Sequence, residues 1–363
     1  MTMSSQPDSA HLPDLAAREL GGSVVAATDE LFAGRENLIK AEPPVFQPHT
    51  FGPKGQLMDG WETRRRRTAG VDQAIIRLGC PGIVRRVVID TAHFTGNYPP
   101  AASVEACGVD GYPAPGELAD ADWQPLVPRS KLAGDNLHEF AVENECRYSH
   151  VRLSIYPDGG VARLRVFGDV VADPRLLPPV FDLAALEHGG EVLDCSNSFY
   201  SSPNNLIKPG LARVMGDGWE TARRRDDGND WVSLRLACAG RPMLAEIDTM
   251  HFVGNAPGWA SLTGDDRIEL LPRIRLQPDT RHRFVLDAAE VGTVRLDVFP
   301  DGGVGRLRLY GAPTEAGRAA LVLRFANALP DRQLVGLLDG SVTAPRPYPE
   351  IGALPEALLR ALE

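Results

Sequence analysis

The chain repeats itself, and the repeat unit is as long as a domain. GGSVVAATDELFAGRENLIK, from Gly21, is echoed by GGEVLDCSNSFYSSPNNLIK, from Gly189. MDGWETRRRR is echoed by GDGWETARRR, VVIDTAHFTGNYPP by AEIDTMHFVGNAPG, and YPDGGVARLRVFG by FPDGGVGRLRLYG. Trp61 and Trp219 lie 158 residues apart, as do His93 and His251, while Asp158 and Asp301 lie 143 apart. Order is kept throughout, and the changing offset marks loops shortened in the second copy. Solenoid repeats run to about 20–50 residues, so each copy here is a whole domain.

Within each copy the patterning is that of strands. VRLSI before the first PDGG and RLRVF after it alternate polar and apolar residues, and VRLDVF and RLRLY do the same in the second copy. That period of two belongs to half-buried strands, and Pro-Asp-Gly-Gly supplies the turn between them. The expectation is an all-β chain: two tandem jelly-roll β-sandwiches with a short helical tail. The predicted boundaries are an N-terminal extension over 1–20, repeat one over 21–170, a Pro-rich linker over 171–188, repeat two over 189–312 and the tail over 313–363. In the tail, Thr314 is placed to cap a helix that Pro330 stops.

Composition limits the partners. The formal net charge of -10 speaks against a nucleic-acid footprint. No stretch approaches 18 uncharged apolar residues, and the N-terminus lacks a secretory pattern, so no membrane association is expected. The five cysteines are widely spaced without a CxxC pair, which suits a reducing cytoplasm better than a disulfide framework or zinc site. A homo-oligomer is expected.

The blocks GWETRRRR, IDTAHFTGNYPP, GWETARRR, IDTMHFVGN and the two PDGG turns resemble the allantoicase family over about residues 21–311. The resemblance implies duplicated jelly-roll domains like those of galactose-binding carbohydrate modules. It also implies hydrolysis of allantoate to (S)-ureidoglycolate and urea in purine degradation. Periodicity alone gives only a tandem β-sandwich, so the alternative is a non-catalytic module that binds a small polar ligand or carbohydrate.

For that substrate, a carboxylate with two ureido arms on one carbon, the repeated blocks supply candidates. Arg65, Arg66, Arg223 and Arg224 offer planar forks for the carboxylate. Asn97 and Asn255 suit a ureido group. Glu62, His93, Glu220 and His251 are the acid–base candidates, because departing urea needs a proton and the attacking water needs a base. The structural alternatives are a surface charge cluster for the Glu–Arg blocks and, for each histidine, a core imidazole satisfied by a backbone carbonyl. Alternation places His93 on the face of Val87, Ile89 and Thr91. No cofactor is called for. A divalent metal at Asp90 or Asp248 is an open alternative, although positions three apart on a regular strand point to opposite faces.

Overall fold

The computed structural model describes residues 12–287, 289–338 and 346–362. Residues 1–11 of the expected extension, and 339–345 and 363 of the expected tail, lie outside the described residues. Repeat one contains β1 (Ser23–Ala27), β2 (Phe51–Gly52), β3 (Gly55–Gln56), β4 (Trp61–Glu62), β5 (Asp72–Asp90), β6 (Ala101–Cys107), β7 (Gln124–Lys131), β8 (Leu137–Ala141), β9 (Arg147–Tyr156), β10 (Gly160–Val161) and β11 (Arg163–Val170). Repeat two contains β12 (Phe181–Asp182), β13 (Glu191–Cys195), β14 (Trp219–Glu220), β15 (Asp230–Asp248), β16 (Trp259–Gly264), β17 (Glu269–Arg275), β18 (Arg281–Val285), β19 (Val291–Phe299), β20 (Gly303–Val304) and β21 (Arg306–Pro313).

One long strand organises each sandwich. The first half of β5, Asp72–Arg77, pairs with β9, and its second half, Gly82–Asp90, pairs with β11. β15 divides likewise between β19 and β21. A strand that serves both sheets forces them face to face, and the inward residues of both make the core. The switch in β5 falls at Gly82, where a Cβ would lie 2.1 Å from the Asp169 carbonyl oxygen. Trp61 and Trp219 are completely buried at matching places, and their indole N–H groups donate to Asp29 O (2.7 Å) and Asn197 O (2.8 Å). The two halves are thus the same jelly roll built twice.

The PDGG segments are not simple hairpins. β9 and β11 flank the first turn but pair with different ends of β5, so the chain crosses between sheets there. The turn's own Gly160 and Val161 pair with Glu62 and Trp61. Gly160 is required by close approach: a Cβ there would meet the Phe94 ring at 2.0 Å, and one at Gly303 would meet Phe252 at 1.9 Å.

Two segments assigned by sequence to the extension and the linker lie against the sandwiches. Leu15 is fully buried and its N–H donates to Val166 O at 2.8 Å; Leu183 does the same to Leu309 O at 2.8 Å. After β21, Thr314 Oγ1 accepts from Gly317 N (3.0 Å) and caps α1 (Glu315–Ala328). α2 (Asp331–Leu337) and α3 (Glu356–Leu362) follow, and the helices share an apolar cluster with Ile83 and Val171 of repeat one.

Candidate active site

β4 is only two residues long, but it is firmly placed. Trp61 plugs the core, Thr63 Oγ1 accepts from Gly159 N (3.2 Å), and buried Arg163 donates to Asp59 O (2.9 Å) and Asp59 Oδ2 (2.7 Å). Between these anchors Glu62 points outward, half-buried. Asn97, in the loop after β5, donates from Nδ2 to Glu62 Oε1 at 2.6 Å. Repeat two reproduces the pair, with Asn255 Nδ2 to Glu220 Oε1 at 2.5 Å. Burial pushes the Glu62 carboxyl above its ordinary range, against the opposing pull of the Asn97 hydrogen bond.

The histidines stand beside these pairs for a reason that strand alternation did not give. β5 ends at Asp90, whose Oδ1 accepts from Ala92 N (2.7 Å) and turns the chain. His93 then adopts φ 69° and His251 φ 72°, a left-handed conformation unusual for a non-glycine residue. Asp135 Oδ1 holds His93 N at 2.8 Å, and Asp279 Oδ1 holds His251 N at 2.8 Å. His93 is therefore a turn residue and does not continue the Val87–Ile89 face. Its ring stacks on Phe46 at 5.6 Å, and Nε2 lies 3.2 Å from Pro44 O. A carbonyl can only accept, so in the neutral ring this contact places the proton on Nε2 and leaves Nδ1 as the acceptor. His251 Nε2 sits 3.0 Å from Ala212 O in the same way. The carbonyl of the structural alternative is present, yet the ring still has a nitrogen to use.

In repeat one these groups line a cavity of about 410 Å³ whose other walls include Phe32, Phe46, Lys54, Gln56 and Met58. The β2–β3 hairpin, which supplies Lys54 and Gln56, falls in the stretch where the second copy is shorter. In repeat two, Met215 Sδ takes part instead, 3.2 Å from Asn255 Nδ2.

The expected arginine clamp is not gathered at this cavity. Arg66 Nη1 is bound to Asp72 Oδ1 at 2.5 Å and Arg224 Nη1 to Asp230 Oδ1 at 2.8 Å, and both aspartates are fully buried. These two arginines hold the loop after β4 and β14 to the start of the long strands. Arg65 and Arg223 are exposed and have no ion-pair partner among the described residues. The cation that lines the cavity is Lys54. Nothing in the sequence marks it, because its hairpin has no counterpart in repeat two.

Asp90 and Asp248 are buried under the turns, each with one oxygen committed to a backbone N–H, Ala92 (2.7 Å) and Met250 (2.8 Å). Among the described residues no three His, Cys, Asp or Glu side chains are gathered as a metal-ligand set. Asp90 and Asp248 are thus not joined by two further ligands of these types among the described residues. No helix among the described residues is long and apolar enough to cross a membrane.

Fold and site together define a duplicated jelly-roll protein that presents a Glu–Asn–His cluster at the same end of each sandwich, walled into a cavity in the first. The Allantoicase repeat family matches residues 13–171 and again 181–314, and the chain belongs to the allantoicase family. It is 57% identical over 310 residues to a probable allantoicase of Nocardia farcinica, covering 83% of this chain and 94% of that protein. It is 54% identical to one from Streptomyces coelicolor, covering 86% and 88%. Among solved structures, the allantoicase of Saccharomyces cerevisiae matches with TM-score 0.74 and 33% identity, over 84% of this chain and 95% of that one.

Proposed function

We propose that this chain hydrolyses allantoate to urea and ureidoglycolate, and that the reaction takes place in the cavity of repeat one. The observation that carries the placement is the convergence of Glu62, Asn97 and His93 on one polar cavity, with a cation on its wall. Family membership supplies the substrate.

Lys54 takes the carboxylate of the substrate, and Asn97 and Gln56 have the donors and acceptors to hold ureido groups. Glu62, kept protonated to higher pH by burial, gives its proton to the nitrogen of the departing arm. The C–N bond breaks with its electron pair going to that nitrogen, and urea leaves. Water bonds to the central carbon and its proton passes to His93 Nδ1, which leaves a hydroxyl where urea was attached. Solvent then returns Glu62 and His93 to their starting protonation states. Water is the only co-reactant, which makes the enzyme a hydrolase of C–N bonds in a linear ureido substrate.

Urea release from allantoate by the purified chain tests the reading. Steady turnover is expected. No turnover at any pH, with or without added divalent metal, would leave only the alternative of a binding module.

A further inference from the structure

A cavity larger than that of Glu62, about 520 Å³, lies elsewhere. It lies where repeat one meets the segment leading into repeat two, and it is built around Arg147 at the start of β9. That arginine is 6% exposed, and its guanidinium lies 5.0 Å above the Phe325 ring of α1. Its Nε donates to Val171 O at 2.7 Å, yet no carboxylate among the described residues pairs with it. Burial lowers its pKa to about 10, against the opposing pull of Asp173 and Asp110, so at neutral pH it remains a cation with no carboxylate in direct contact. A desolvated charge left in that state is costly unless something completes it. Arg77 also lines the cavity; it donates to Gly21 O (3.3 Å) and has no ion pair among the described residues, its guanidinium 5.6 Å from the ring of exposed Tyr112. Arg175 is already neutralised by Asp173 (2.6 Å) and Asp110 (3.1 Å).

The same walls carry unused acceptors. Glu187 has no hydrogen-bond or ion-pair partner among the described residues, and its Oε2 is buried. Ser149 Oγ accepts from Val109 N (3.0 Å) and lies 3.3 Å from Cys107 O and 3.0 Å from His150 Nδ1; with its single proton directed to Cys107 O, the ring proton sits on Nδ1. His150 Nε2 is then a bare acceptor. Burial, reinforced by Arg77, lowers the His150 pKa to about 4, so the ring stays neutral.

Arg77 and Glu187 have counterparts, Arg235 and Glu19, in the registers of the Trp and Gly-Gly blocks, but the centre of the site has none. The positions 143 residues further on, in the register of the PDGG blocks, hold Glu290, Gly292 and Thr293 in place of Arg147, Ser149 and His150. The tail helix that supplies Phe325 also belongs to neither repeat. Arg147, Ser149, His150 and Phe325 are thus additions to the duplicated fold, and the cavity they form is separate from that of Glu62.

We propose that this cavity is a second ligand site, for a small carboxylate that also carries N–H donors. The carboxylate neutralises Arg147, with Arg77 beside it, and the N–H groups satisfy Glu187 and His150 Nε2. Both an α-amino acid and a carbamoylated amino acid have that chemistry, and glycine and N-carbamoylglycine are probes that distinguish them.

Crystals of the full chain soaked in each probe, with calorimetric titration in solution, test the site. Density for a carboxylate on the Arg147 guanidinium is expected with at least one probe. R147K keeps the charge but loses the fork and is expected to weaken binding at this site at least tenfold. E187Q is expected to weaken the bound probe while leaving propionate, which has no N–H, unchanged. The proposal is overturned by ligand density confined to the Glu62 cavity, by no density at all, or by propionate binding as tightly as both probes. Equal affinity in native, R147K and E187Q protein overturns it too. The soak uses the native chain and decides the matter even if R147K does not fold.

Discussion

Asn97 Nδ2 and Glu62 Oε1 are 2.6 Å apart, and the equivalent atoms of Asn255 and Glu220 are 2.5 Å apart. The donor comes from the loop after β5 and the acceptor from β4, so two separate blocks of sequence meet in one hydrogen bond, twice. An amide N–H favours the ionised carboxylate, whereas burial favours the neutral acid, and burial prevails at Glu62.

The sign of the Asn97 contribution gives a pH prediction. If protonated Glu62 is the general acid, activity falls on the alkaline side as it loses its proton. N97A removes a bond to the charged form and raises the Glu62 pKa further. The alkaline limb of kcat against pH is therefore expected to move to higher pH, alongside a rise in KM from the lost ureido contact. A limb that stays in place, or moves to lower pH, means that Glu62 is not the group seen.

Lys54 is the cation of the cavity wall. K54A is expected to raise KM about tenfold or more, in line with the 1.5–3 kcal/mol of a hydrogen bond to a charged group, with partial rescue by K54R. Arg66, locked to Asp72, is different: R66K is expected to lower thermal stability, read by a melting curve, more than it changes KM.

The anchoring of β4 has its own pH signature. Burial works against the Asp59 carboxylate, but bonds from Arg163, Val45 N–H and Lys40 outweigh it and lower its pKa to about 2. A depressed folded-state pKa stabilises the protein above the unfolded value of about 4, and that stability is lost as pH falls through about 2. D59N is expected to cost about 1.5–3 kcal/mol at pH 7 in denaturant unfolding. The gap to the native chain should narrow between pH 4 and pH 2. A gap that is constant with pH would assign the loss to packing instead.

Much of the fold was legible in the sequence because duplication samples each feature twice. Period-two strands around PDGG, the matched positions of Trp61 and Trp219, and the Thr314 cap all carry local signals. What the PDGG segments do was not legible: β9 and β11 look like hairpin partners, and only the division of β5 between two sheets shows that they are not. His93 and Glu62 could be singled out, but not the left-handed turn that aims the histidine, since it depends on Asp135 far along the chain. Lys54 and Arg147 were invisible for the opposite reason: they occur once, and nothing in their neighbourhood of sequence marks them.

The most direct test of the account is the kcat for urea release from allantoate by E62Q and by E220Q, each checked for an intact fold. Loss of a positioned proton donor costs about 10²–10⁴ in rate. E62Q is expected to fall within that range, and E220Q, in the copy without the hairpin wall, to lose less than about tenfold. Near-native turnover by E62Q, or an equal loss in E220Q, would contradict catalysis in the repeat-one cavity.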